Sequence, residues 1–142
     1  MELIDRKEII VRFSEVDSMH IVWHGNYLKY FEDGRESFGL KYSLGYLDVY
    51  KHKVMIPIVK VNCEFKLPLE YGDTAIVETR YIPTEAAKIL FEYTIYRKKD
   101  FEIVAAGSSV QVFLTPEGEL LLVSPAFYIT WQEKWGIVKN IK

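Results

Sequence analysis

Cysteine is almost absent: Cys63 stands alone, so no internal disulfide can form and a reducing, cytoplasmic setting is expected. Long apolar runs are missing as well. Nothing approaches the roughly 18 apolar residues of a membrane span, and no charged-then-apolar leader precedes the first polar residues, so the sequence predicts a soluble chain without a secretion signal. Charge of one sign is lacking too. The 18 Lys+Arg nearly balance the 20 Asp+Glu, and a net charge of -2 leaves no footprint for nucleic acid or anionic lipid. No repeat, low-complexity tract or linker interrupts the 142 residues, which read as a single domain over 1–142. What the chain has in excess is aromatic side chains, 15% of all residues, enough to fill a core and to line an apolar ligand site or an interface.

The pattern of these residues gives an element order. Lys7 to Phe13 reads as a first strand by its β-branched content. Tyr27, Tyr30, Phe31, Gly34 and Phe38 then recur at helical spacing, with Lys29, Glu32, Asp33 and Glu36 on the opposite face. Gly34 on the apolar face costs about 1 kcal/mol relative to Ala, which predicts a close approach of another element there. Ser43 to Lys51 suggests a short second helix or turn. From Met55 the period becomes two: Met55, Val59, Val61, Cys63, Phe65 and Leu67 share one face of a long strand. Three more strands follow, at Thr74–Ile82, Ala87–Arg97 and Glu102–Leu114, divided by turn residues at Tyr71–Asp73, Lys98–Asp100 and Thr115–Gly118. A strand, a long helix and an antiparallel meander make an α+β domain, with the sheet wrapped around one helix. The later strands carry apolar residues on both faces and the sheet keeps open edges, so a partner subunit is expected.

The stretch FSEVDSMHIVWHGNYLKYFEDG, Phe13 to Gly34, holds the chemistry. Asp17, His20 and His24 have a spacing that would suit zinc if a helix carried it, but the intervening Ile21, Val22 and Trp23 argue for a loop. A plainer account makes Asp17 a turn residue and His24–Asn26 a helix start. A third account sets the Asp17 carboxylate, at a strand end, across from the unpaired N–H groups of the following helix. Acyl transfer needs that pairing of a nucleophile or base with an oxyanion site. Glu32, Asp33 and Glu36 read as a solvated helix face, and Cys63 as core.

The same stretch, followed by PIVKVNCEFKLPLEYGD, VFLT and Pro125, resembles the hotdog-fold acyl-CoA thioesterases of the 4-hydroxybenzoyl-CoA thioesterase and YbgC-like branch. The resemblance implies hydrolysis of a thioester to free acid and CoA, with no cofactor or metal. Asp17 would be nucleophile or general base, and His24 would polarise the substrate and assist proton transfer. The His24 or Gly25 N–H would bind the thioester oxygen. Gly25, Tyr27, His20, Val59, Val61 and Lys88 are candidate substrate contacts, with Val59 and Val61 reaching the site from a partner in a homodimer or homotetramer. Two departures stand out: His20 occupies a position where the family has glycine, and Phe13 replaces a tyrosine. Basic residues against the nucleotide phosphates are reduced to Lys88, which keeps an acyl carrier protein substrate in view. The alternatives are a non-hydrolytic acyl-binding or dehydratase-type hotdog protein and a metal-dependent hydrolase.

Overall fold

A computed structural model describes residues 2–137. Strands β1 (Ile4–Ile10), β2 (Ile58–Phe65), β3 (Thr74–Ile82), β4 (Lys88–Arg97) and β5 (Glu102–Val112) form one antiparallel sheet, and α1 (Asn26–Tyr42) lies against one face of it. The helical stripe read from the sequence is the buried one. Tyr30, Phe31 and Phe38 are fully enclosed, and burial of each such side chain contributes about 1.5–3 kcal/mol. Phe31 stacks on Tyr93 of β4 with ring centroids 4.3 Å apart, and Phe38 meets Phe91 and Tyr81. Gly34 marks the close approach: a Cβ there would lie 2.5 Å from Thr79 Oγ1 and 2.8 Å from Val77 Cγ1. The helix ends where Ser43 turns left-handed at φ 62° and returns its N–H to the Gly39 carbonyl. The short helix α2 (Tyr46–Tyr50) follows.

Three expectations need correction. The first strand is Ile4–Ile10 rather than Lys7–Phe13, because its pairing with β3 runs from Ile4↔Arg80 to Ile10↔Thr74 and stops there. The strands do not form a four-strand meander in sequence order. The sheet order is β1-β3-β4-β5-β2, so only β3, β4 and β5 are consecutive neighbours and β2 crosses to the far edge beside β5. A helix also went unread: α3 (Ala126–Lys134) begins after Pro125, and Trp131 and Trp135 both donate their indole N–H to the Tyr42 carbonyl at the end of α1, at 2.7 and 2.9 Å. Its sequence, AFYITWQEK, is rich in aromatic and β-branched residues of poor helix propensity, so tertiary contact rather than local preference makes it helical.

Candidate active site

Asp17 lies seven residues past the end of β1, in a small hairpin of its own rather than at a strand end. Val16 bridges Val22, the Asp17 N–H donates to the Ile21 carbonyl at 2.8 Å, and the His20 N–H donates back to the Asp17 carbonyl at 2.9 Å. This is a three-residue hairpin loop, whose last position requires a left-handed residue. His20 fills it at φ 68°. The residue that departs from the family glycine therefore sits where glycine is favoured for its backbone. Asp17 Oδ1 accepts the Met19 N–H at 2.8 Å, an Asx-type turn bond that fixes the carboxyl. Oδ2 has no hydrogen bond among the described residues.

The hairpin is tied to α1 through Glu15, which sequence reading passed over. Its main-chain carbonyl accepts both the Trp23 N–H and the Asn26 side-chain amide, each at 2.9 Å. Its carboxylate, 2% exposed, accepts the Arg12 backbone N–H and the Tyr30 hydroxyl at 2.9 Å, and pairs with the Arg12 guanidinium at 3.1 Å and Lys29 at 3.7 Å. Burial alone would raise the Glu15 pKa, but the Arg12 N–H, the Tyr30 hydroxyl and the Arg12 guanidinium together hold it below its ordinary value. The one sequence signal was Arg12 and Glu15 three residues apart, just before Asp17.

At the helix start, the Asn26 and Tyr27 N–H groups return to the Trp23 and His24 carbonyls, and no side chain caps the end. The His24 and Gly25 N–H groups have no acceptor among the described residues. These donors, at the positive end of a 17-residue helix, suit a developing negative charge. The Trp23 indole lies over Gly25 so closely that a Cβ there would meet its ring at 2.0 Å. His24 is exposed, with its ring 4.9 Å from Trp23 and 6.1 Å from Phe65, and buried Tyr27 packs 5.2 Å from Phe65.

His24 and Tyr27 thus lie beside Phe65, and the hairpin with Asp17 and His20 is tied through Glu15 to the same helix start as Gly25. Val61 lies on β2 with the same alternation as Cys63 and Phe65, of which Phe65 packs on Tyr27 of α1, while Val59 sits at a register irregularity near the far end of that strand. Lys88 begins β4 opposite Val112, seven residues or about 23 Å from the Ile95↔Ala105 pair level with the site, so one chain does not bring it there. Cys63 has its thiol pushed up to about 11 by burial, which keeps it protonated and unreactive at neutral pH. Among the described residues no three His, Cys, Asp or Glu side chains converge on a point that could hold a metal, so Asp17, His20 and His24 do not make a ligand set. A largely apolar cleft of about 460 Å³ opens along the α1 flank, lined by Glu32, Arg35, Tyr46, Ile89, Phe91 and Gln111 among others. It starts seven residues beyond Gly25, about 10 Å along the helix axis.

Comparison with known proteins agrees with this architecture. The profile of the Thioesterase-like superfamily matches residues 11–127, from the end of β1 into α3. The chain belongs to that superfamily. A Bacillus subtilis protein named "Putative acyl-CoA thioesterase YneP" is 38% identical over 106 residues, 75% of this chain and 77% of that protein. Among solved structures, a DHNA-CoA thioesterase from Staphylococcus aureus superposes with a TM-score of 0.84 at 23% identity, covering 94% of this chain and 89% of that one. A 4-hydroxybenzoyl-CoA thioesterase, solved as an aspartate-to-asparagine mutant with 4-hydroxybenzoyl-CoA bound, gives 0.78 at 21% identity over 91% and 98% of the two chains. The fold of this superfamily member is therefore the α+β hotdog fold that the sequence resemblance implied.

Proposed function

We propose that this member of the Thioesterase-like superfamily hydrolyses acyl-CoA thioesters to the free acid and CoA, with Asp17 as the reacting carboxylate. The observation that carries the reading is the state of Asp17: one oxygen is held by the Met19 N–H, the other is unbonded, and the hairpin is tied beside an uncapped helix start. The thioester oxygen would lie against the His24 and Gly25 N–H groups, where the charge that develops as the carbonyl becomes tetrahedral is stabilised. Removal of one such donor typically costs about 2.7–4 kcal/mol of that stabilisation. The free Asp17 oxygen then attacks the carbonyl carbon and the thiolate leaves, giving an anhydride that water cleaves to the free acid and the restored Asp17 carboxylate, or it takes a proton from the water that attacks. His24, exposed just before the helix start, would supply the proton that the departing thiolate takes up. The acyl group would run from Tyr27 and Phe65 along the α1 flank toward the cleft at Arg35 and Tyr46, with Val61 and Val59 of a partner copy closing it. His20 would lie at the mouth. Lys88, remote from the site within one chain, would meet the nucleotide of CoA bound at a partner's site.

The deciding experiment is Asp17→Asn, which keeps shape and hydrogen bonding but removes charge and nucleophilicity. The kcat on the best substrate of an acyl-CoA panel should fall by at least about 10²-fold with circular dichroism unchanged. A folded Asp17→Asn enzyme within a few-fold of wild type would defeat the assignment. The same panel presented on acyl carrier protein tests which carrier the chain accepts.

A further inference from the structure

Glu15 makes two kinds of contact at once, and each joins a different part of the site. Through its carbonyl it holds the Trp23 N–H and the Asn26 amide, the residues on either side of His24 and Gly25. Through its carboxylate it holds Arg12, where the chain leaves β1, and Tyr30, on the second turn of α1. Asp17 follows two residues later, and its own main-chain bonds stay inside the hairpin or reach only Ile21 and His20. Among the described residues no hydrogen bond joins the Asp17 side chain to the helix that carries the oxyanion donors. The hairpin is held by its own Val16↔Val22 bridge and against the loop before β3 by the Ile21↔Glu70 bridge and the Val22 N–H to Leu69 carbonyl bond, while Glu15 supplies its contacts to the helix itself.

We infer that Glu15 is a positioning residue for the thioesterase reaction: its buried carboxylate fixes the Asp17 hairpin against the N-terminus of α1 without touching substrate. The chemistry of its partners favours the charged form for this task. The Arg12 N–H, the Arg12 guanidinium and the Lys29 ammonium can only donate, and the Tyr30 hydroxyl donates as well, so the group at their centre has to be an acceptor throughout. A neutral amide with its oxygen at the Oε1 position keeps the Arg12 N–H and Tyr30 bonds but presents an N–H, where Oε2 stood, to the Arg12 guanidinium and Lys29, so the cation anchor turns from attraction to repulsion. The hairpin then gains freedom relative to the helix while the hydrophobic stripe of α1 stays packed.

This inference rests on Asp17 being the reacting carboxylate, and the test separates the two. Glu15→Gln should lower kcat by about 10- to 100-fold, the cost of a displacement near 1 Å, with KM changed little. In an Asp17→Asn background the same substitution should cost less than about two-fold, since the group it positions is gone. Hydrogen exchange gives a readout independent of activity: the Asp17, His20 and Trp23 amides should exchange at least about ten-fold faster in Glu15→Gln, while the β4 amides keep their wild-type rates. Tyr30→Phe, which removes one bond and no charge, should show the same local pattern more weakly, and it serves if Glu15→Gln folds poorly. Equal acceleration in β4, or an equal kcat loss in both backgrounds, would overturn the positioning role. An Asp17→Asn enzyme of wild-type activity would instead sink the Asp17 assignment, and hydrogen exchange would then decide for Glu15 alone.

Discussion

His20 holds a left-handed backbone with a full side chain, a conformation that costs roughly 1–2 kcal/mol without glycine. Glycine at the position relieves that strain but adds freedom to the unfolded chain, so His20→Gly should raise Tm by no more than a few degrees. If its kcat/KM stays within about two-fold, the imidazole takes no part in turnover; a loss of about 10-fold or more would give it a substrate contact. Glu15 carries the pH dependence. Its folded pKa is depressed, so its stabilisation is fully present above the unfolded value near 4.5 and is lost as pH falls through the lower folded value. Urea titrations should accordingly show wild type more stable than Glu15→Gln at pH 6, with the gap closing below about pH 4.5. A gap that widens on acidification would contradict this. That Asp17 stands in a turn was legible in the sequence, since Asp favours turns, whereas its role as a reacting carboxylate is a proposal that rests on the family resemblance. Glu15 was not legible, since one acidic residue among several in a loop gives no sign of burial until Tyr30 and Arg12 close over it.

Among the elements, α1 was readable because its stripe of aromatics has one period over five positions, and each of those positions is buried. Gly34→Ala tests the stripe: its Cβ would collide with Thr79 and Val77, an overpacking that typically costs about 1–3 kcal/mol, and Tm should fall by several degrees with oligomeric state unchanged. A Tm within one degree of wild type would show that β3 yields at little cost. The strands β3, β4 and β5 were legible by alternation and by their turns. The placement of β2 was not, because alternation reports which face is apolar and carries no information on which strand is the neighbour. The helix α3 was hidden for a different reason, since its indole bonds to Tyr42 become visible only once the end of α1 is in place.

The whole molecule shows two unlike edges. β1 presents Arg6, Lys7 and Glu8 in succession, the kind of charge that discourages pairing, whereas β2 presents Val59 at 57% and Phe65 at 53% exposure. On the face away from α1, Leu90, Tyr96, Val110 and Val112 are only half-buried. A homodimer through β2 is therefore expected, doubled through the bare face in a tetramer, and Val61→Glu should shift light-scattering mass toward the monomer and lower kcat/KM along with it. A monomeric variant with full kcat/KM would show that the site needs no second copy. The expectation of a partner comes from apolar residues on both strand faces, a pattern that says nothing of which edge would supply the contact. The strand order β1-β3-β4-β5-β2 also bears on how the chain is made. Both outer strands lie in the first half of the sequence, and the strands they join lie in the second. During synthesis at about 5–20 residues per second, β1 waits roughly 3 to 13 seconds after emerging before β3 begins to follow it out of the ribosome. For that interval Tyr30, Phe31 and Phe38 have no sheet to cover them, so a chaperone that shields aromatic helices should raise the soluble yield more than it raises the final Tm.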